Sequence, residues 1–468
     1  MVASPRVSLN VKPSSSIATS RPLAPVTLGT ALVLVTYVTP MATIPATAAD
    51  LGAGPAARAW ILSSMSLGLA AALLASGVMG DILGRRRVYV AGSIAMALAA
   101  AVCAVAQEPI VFIAARVVEG VGGAAVLACG LAVLAHRYPP GPERIHATSV
   151  WAASVGLGIA AGAVLAPALD VGSGWREAYA VTAVLGLALV LPSLLRIEES
   201  AAAAPRNLDL AGSGLLIAAM TLGVSALTQG RGGVDVPTVA LAVLSAVSFV
   251  AFVLVERRVD QPLLDPALLR HPRFRAATGG SFVLGAGIIG MAAFIPTVAQ
   301  VGLGRGLWAA SLPVLAWAGV SVVTSMLARH VPHPLEGSRP IATLLVLVAG
   351  GQLLSYGLQA DSSMWRLVVA MVVAGVGMGV LNAVLGREAI ASVPPASAGT
   401  GSGANQTARY LGAACGITLF VTVATHAGDT IIDGWNTAVL VSATLTLVGA
   451  AAIALTGRTS HAHRTESH

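Results

Sequence analysis

Residues 77–87 read Gly77-Val78-Met79-Gly80-Asp81-Ile82-Leu83-Gly84-Arg85-Arg86-Arg87, and the run stands between two long apolar stretches. A carboxylate, glycines and three arginines close one hydrophobic helix and face directly into the next. Charge at that density is too costly to leave in hydrocarbon, so the run marks a tight turn at a membrane surface. Composition points the same way. Hydrophobic residues make up 56% of the chain and charged residues only 10%, where a soluble domain carries roughly 25% charged residues.

A helix needs about 20 apolar residues to cross a bilayer. Apolar runs, cut at charged or Pro/Gly breaks, predict fourteen spans near 25–47, 59–79, 88–106, 110–136, 147–169, 177–196, 209–228, 236–256, 277–300, 306–328, 339–358, 366–387, 404–426 and 435–457. The fold class is therefore all-α and integral to the membrane. Basic residues orient it. With the N-terminus inside, twenty Lys and Arg fall on inner segments, and only Arg58, Arg176, Arg231, Arg305 and Arg366 on outer ones. Lysine and arginine are retained on the cytoplasmic side, so both termini are expected there, in a multi-pass protein of the plasma membrane. The net charge of +7 is accounted for by this topology and carries no nucleic-acid signal.

Domain organisation follows from the spans. Residues 1–24 are Ser/Pro-rich, lack the apolar core of a signal peptide, and are expected to form a disordered cytoplasmic arm. Residues 25–196 and 277–457 are expected to form two six-helix bundles, with 197–276 an inserted helix pair and its linkers, and 458–468 a cytoplasmic tail. Cys103, Cys129 and Cys415 fall inside spans at no metal or redox spacing and are expected to pack as small hydrophobes.

Beyond Asp81 and its arginines, four further stretches are distinctive: Pro45 to Gly52 followed by Trp60; Arg116-Val-Val-Glu119-Gly120; Gly158-x-x-x-Gly162 followed by Gly174-Trp175-Arg176-x-x-Tyr179; and Gly401 to Gly416, which carries Asn405, Arg409 and Gly412. In this order they resemble the fourteen-span drug/proton antiporter branch of the major facilitator superfamily, over nearly the whole chain. The resemblance implies proton-coupled efflux of small hydrophobic or amphipathic compounds by alternating access between the two bundles.

The candidate site residues each admit a plainer account. Gly77, Asp81, Gly84, Arg85, Arg86 and Arg87 can simply stop a helix and obey charge topology. Alternatively Asp81 faces the N-terminus of helix thirteen near Thr400 to Ser402, where a carboxylate meets unpaired amides. The resemblance implies that such a contact latches the bundles on the cytoplasmic side. Arg116 and Glu119 are one turn apart on one helical face and are either a structural ion pair or, as the resemblance implies for the arginine, part of proton coupling. Glu119 replaces the family's usual glutamine and is the one acid well within a span, so proton carriage falls to it by elimination.

Gly158 and Gly162 offer a close-approach face in helix five, as ordinary packing or as the antiporter motif. The motif departs from the family at Gly162-Ala163 and Ala166-Pro167, where Pro167 moves the expected kink outward. Thr36 stands where many relatives carry an aspartate. With Asn382, Asn405 and Arg409 it completes the substrate and gating candidates, although lone Asn residues in spans are commonly helix–helix glue. Arg116 and Arg409 are expected to flank the central cavity and to favour neutral or weakly anionic compounds over dications.

Two other functions compete. One is dedicated export of a metabolite or lipid made by the cell. The other is a membrane enzyme or receptor, against which stands the lack of any catalytic, metal-binding or phosphate-binding constellation. No enzyme activity, metal or cofactor is expected. The expected partners are the lipid bilayer, a small-molecule substrate and protons, without nucleic acid, and the expected state is a monomer driven by the proton gradient.

Overall fold

A computed structural model describes residues 22–169, 174–201, 209–230, 233, 235–259, 268–331 and 335–465. Residues 1–21 of the expected N-terminal arm and the central parts of the two long linkers lie outside these residues, as does Asp170. Among the described residues every regular element is helical. In chain order the helices are α1 (Leu23–Asp50), α2 (Pro55–Leu83), α3 (Arg85–Val105), α4 (Pro109–Arg137), α5 (Pro142–Ala168), α6 (Arg176–Arg196), α7 (Leu210–Gln229) and α8 (Val236–Glu256). They continue as α9 (Pro272–Gly302), α10 (Leu307–Leu327), α11 (Ser338–Leu354), α12 (Trp365–Ala391), α13 (Ala398–His426) and α14 (Ile431–Thr465).

Each predicted span has its helix. Thirteen are long and apolar enough to cross a membrane, and α11, with 17 residues, is the short one. Two boundaries differ usefully from expectation. α13 begins at Ala398 rather than near 404, because small residues from Gly399 to Gly403 sit tightly against α2 and α12 and keep the helix going. α14 runs on to Thr465 rather than ending near 457, so the helix extends into the segment expected as a cytoplasmic tail.

The helices α1, α2, α3, α4, α5 and α6 pack among themselves, with α2 on α4, α3 on α4 and α6, and α1 on α5. Likewise α9 packs on α13 and α14, and α11 on α12 and α14. Across the middle, α13 packs on α2 and α4, and α5 packs on α10 and α12. The α7–α8 pair sits outside, α7 resting on α2. Only 11% of α8's most apolar stretch is buried inside the protein. An apolar helix exposed almost all round is stable only in lipid.

Glycine sets the closest approaches. At Gly158 and Gly162 an added Cβ would run into the Ala31 and Val35 carbonyls of α1, so these two positions fix the α1–α5 distance. This is the small-residue packing that replaces hydrophobic drive in a bilayer. Pro167 stands in the last turn of α5.

Candidate functional site

The turn between α2 and α3 is a single residue, Gly84, whose φ of +110° is closed to side chains with a Cβ. It reverses the chain so sharply that Asp81, in the last turn of α2, points across the molecule. Asp81 Oδ1 accepts from Gly399 N at 3.2 Å, and Oδ2 accepts from Thr400 N at 3.0 Å and Thr400 Oγ1 at 3.2 Å. Arg85 donates to Oδ1 through Nε at 3.0 Å and Nη2 at 2.8 Å, and Nη2 also reaches the Pro395 carbonyl at 3.4 Å. Both side chains are buried. The carboxylate thus satisfies two orphan amides of the α13 N-terminus and lies at the positive end of its dipole. Gly77 makes the approach possible, since a Cβ there would collide with the Gly399 carbonyl.

Arg86 and Arg87 do something different. Glu199, in the segment after α6, accepts from Arg86 N at 3.0 Å and lies 3.7 Å from each of the two guanidinium groups. It therefore caps the α3 N-terminus, as Asp81 caps α13. The sequence showed Glu199 only as one acid in an Ala- and Glu-rich linker, and nothing in its spacing aimed it at α3.

On the same side of the molecule, the corresponding corner of the second helix set uses another pair. Arg329, just past α10, meets His146 near the start of α5, with Nη1 and Nδ1 2.9 Å apart and exposed. Arg273 binds Glu388 through two nitrogens at 3.0 Å, tying α9 to α12. At the far end Asp50 accepts from Trp175 Nε1 at 3.1 Å and Arg176 Nη2 at 2.9 Å, stapling α1 to α6.

Arg116 and Glu119 are fully buried and joined, Nη1 to Oε2, at 2.5 Å. The same Nη1 donates to the Thr36 carbonyl on α1 at 2.9 Å. The Tyr179 ring of α6 lies 5.8 Å from the Arg116 guanidinium. Glu119 Oε1 and Arg116 Nε have no partner among the described residues. Thr36 is engaged elsewhere, its hydroxyl donating to the Val33 carbonyl at 2.9 Å.

A cavity of about 40 Å³ lies between the two helix sets, with Tyr37 of α1, Ile159 of α5, Ile289 of α9, Trp317 of α10, Met378 of α12 and Arg409 of α13 on its wall. It has room for little more than water. A smaller void shares Val38, Met41 and Val314 with it and continues toward Pro296 and Ser311, at the Asp50 end. Arg116 does not line this cavity, contrary to expectation. Its hold on the Thr36 carbonyl keeps it behind α1, while Tyr37 and Val38 show the cavity the helix's other face.

Arg409 does line it. The side chain is buried, and neither Nε nor Nη2 has a partner among the described residues. Asn405, on the same helix, is instead helix–helix glue: Ser281 Oγ donates to Oδ1 at 2.9 Å and Nδ2 donates to the Ala277 carbonyl at 3.0 Å. Asn382 is buried, away from the cavity wall, with both amide atoms unpartnered among the described residues.

Known proteins share this architecture. The human organic anion transporter MFSD10 (TETRAN) superposes with a TM-score of 0.69 at 16% identity, over 93% of this chain and 99% of that one. The proton:xylose symporter XylE gives 0.63 at 15% identity, over 93% and 95%. These likenesses show the fold. In sequence, the chain is 32% identical to a probable actinorhodin transporter of Streptomyces coelicolor, over 81% of this chain and 68% of the relative. It is 31% identical to the puromycin resistance protein pur8 of Streptomyces alboniger, over 82% and 77%. It is 27% identical to the multidrug resistance protein Stp of Mycobacterium tuberculosis, over 78% and 68%. The family model of the Major Facilitator Superfamily matches residues 26–417, and with the fold and these relatives it establishes that the chain belongs to the major facilitator superfamily.

Proposed function

We propose that the protein exports small hydrophobic or amphipathic compounds from the cell by alternating access, in exchange for protons. It would do so as a monomer in the plasma membrane, with both termini cytoplasmic and with no bound cofactor. The carrying observation is the Asp81 contact with the α13 N-terminus, together with the cavity that α13 lines further along at Gln406, Arg409 and Tyr410. The cavity is walled by helices of both sets, and a smaller void continues it toward the Asp50 end. Breaking the three hydrogen bonds from α13 to Asp81 and the Arg85–Pro395 bond, and separating Gly77 from Gly399, would let α2 and α13 part and open the cavity on the Arg-rich side. Helices α1–α6 and α9–α14 would then move as the two rocking halves.

Proton coupling has its support in Glu119, a buried carboxyl tied to α1 through Arg116 and the Thr36 carbonyl. Protonating Glu119 removes the charge that fixes Arg116, which loosens the grip on α1, and α1 also walls the cavity. A transporter, rather than an enzyme or receptor, is in keeping with the family and with relatives named for transport or drug resistance. A second possibility is dedicated export of a compound the cell makes, favoured by relatives named for one compound each, such as the tetracenomycin C resistance and export protein of Streptomyces glaucescens.

Purified protein in liposomes tests the proposal. An imposed pH gradient should drive net movement of a hydrophobic substrate against its own gradient, and dissipating the pH difference should abolish it. Movement that ignores the pH gradient would exclude proton exchange.

A further inference from the structure

We propose that Arg409 is the ligand-binding cation of the central cavity, and that the cavity selects planar aromatic compounds bearing one anionic group. The assignment rests on the export function above and names the class of compound exported.

Arg409 is 3% exposed, and among the described residues it has no carboxylate partner, while its Nε and Nη2 have no hydrogen-bond partner. The other deeply buried arginines are committed, Arg85 to Asp81 and Arg116 to Glu119. A guanidinium left unpaired in a low-dielectric interior costs several kcal/mol unless something supplies the counter-charge. The cavity wall itself cannot, because it contains no Asp or Glu. Among the described residues, the fully buried atoms of this wall without a partner are mainly donors, Arg409 Nε and Nη2 from α13 and Trp317 Nε1 from α10, beside the acceptor Gln406 Oε1. Donors contributed from two elements to one cavity, without an acid, fit a ligand that brings acceptors and negative charge.

The remaining wall supplies the aromatic preference. Tyr37 and Tyr410 meet edge to face with ring centroids 5.5 Å apart, and Trp317 lies on the same cavity. Such rings prefer flat π-systems. In the closed form the cavity, at about 40 Å³, excludes any such ligand. The ligand therefore enters when α2 and α13 separate, and α13 carries Arg409 with it. Counter-charge and opening are thus linked through one helix.

The test is equilibrium binding to the full-length protein in nanodiscs of zwitterionic lipid, with three probes of similar two-ring size: naphthalene-2-sulfonate, 2-naphthol and N-methylquinolinium. The sulfonate should bind at least about tenfold tighter than the quinolinium, and Arg409→Met should weaken it by about thirtyfold or more, the usual loss for a buried charge contact. If Arg409→Met fails to insert, Arg409→Lys decides. It keeps the charge but loses the planar fork, so the sulfonate should bind more weakly yet remain ahead of the quinolinium. Equal affinity for all three probes, or quinolinium bound tightest, overturns the assignment. Parallel liposome assays keep the two proposals apart. Arg409-dependent sulfonate binding without pH-driven movement of any probe would leave this site standing and remove the export function. The pH-driven movement of naphthol or quinolinium without sulfonate preference would do the reverse.

Discussion

Asp81 Oδ2 accepts both hydrogen bonds that Thr400 can donate, from the backbone N–H at 3.0 Å and from the hydroxyl at 3.2 Å. Both carboxylate oxygens thus hold the first turn of α13, Oδ2 through Thr400 and Oδ1 through Gly399 N, and Oδ1 also holds Arg85. An anion at a partly buried helix N-terminus is worth about 0.3–2 kcal/mol. A bias near the upper end shifts a two-state equilibrium about thirtyfold, enough to decide which face of a transporter is open.

Asp81→Asn should therefore cut export by about tenfold or more by shifting that equilibrium. It should also lower stability, because the buried Arg85 loses its counter-ion, at a cost of up to about 3–5 kcal/mol. The double variant Asp81→Asn, Arg85→Gln separates the two effects. Its thermal stability should recover most of the loss while export stays low. Near-normal export by either correctly inserted protein would remove the latch from the mechanism.

Arg329 and His146 make the corresponding contact between α10 and α5, but exposed to solvent. Even exposed pairs of opposite charge contribute only about 0–1 kcal/mol, and a neutral imidazole accepting from Arg329 offers no more. Arg329→Gln should accordingly change export by less than about twofold under the same assay, a bound set by that small energy. A loss as large as that of Asp81→Asn would mean that the two corners share the closing work equally.

Much of this was legible in the sequence, and the physics explains which part. Bilayer thickness fixes helix length, so the fourteen apolar runs and their charged breaks located every helix, and α8 matched residue for residue. Asp81 was legible because a carboxylate beside Gly84 at a helix end has few stable surroundings. Contacts made by tertiary placement were not. Glu199 reaches α3 only because the segment after α6 folds back across Gly84. Likewise, Arg116 and Arg409 look alike as intramembrane arginines, yet one is paired behind α1 and the other faces the cavity. Burial separates them, and no local pattern encodes it. Residues in turns expected to carry signal, such as Asp50 with Trp175 and Arg176, prove to be a staple at the end of two helices.

The glycine spacing in α5 makes a stability prediction with an internal control. An added methyl at Gly158 meets the Ala31 carbonyl and the Leu34 side chain, whereas Gly319 of α10 has open space around it. Gly158→Ala should destabilise by about 1–3 kcal/mol through overpacking of α1 against α5. Gly319→Ala should range from neutral to about 1 kcal/mol more stable through helix propensity. Thermal unfolding in detergent measures both. Equal shifts would show that α1 and α5 yield freely, and that their close approach sets nothing.

Glu119→Gln tests coupling without disturbing shape. The amide fills the same volume and still offers an oxygen to Arg116 Nη1, so the hold on the Thr36 carbonyl should persist and the protein should insert normally. A glutamine cannot carry a proton in this range of pH. Downhill movement of substrate should therefore survive, while accumulation driven by a pH gradient should disappear. Arg116→Ala should be worse in both respects, since it strands a buried carboxyl, at about 3–5 kcal/mol, and releases α1 from α4. The measurement is uptake into liposomes with and without an imposed pH difference, on wild type and both variants. If Glu119→Gln still accumulates substrate against its gradient, the Arg116–Glu119 pair is a structural clasp on α1. Proton exchange would then have to run through another acid, of which Asp50, half-exposed and already bound to Arg176, is the next to replace.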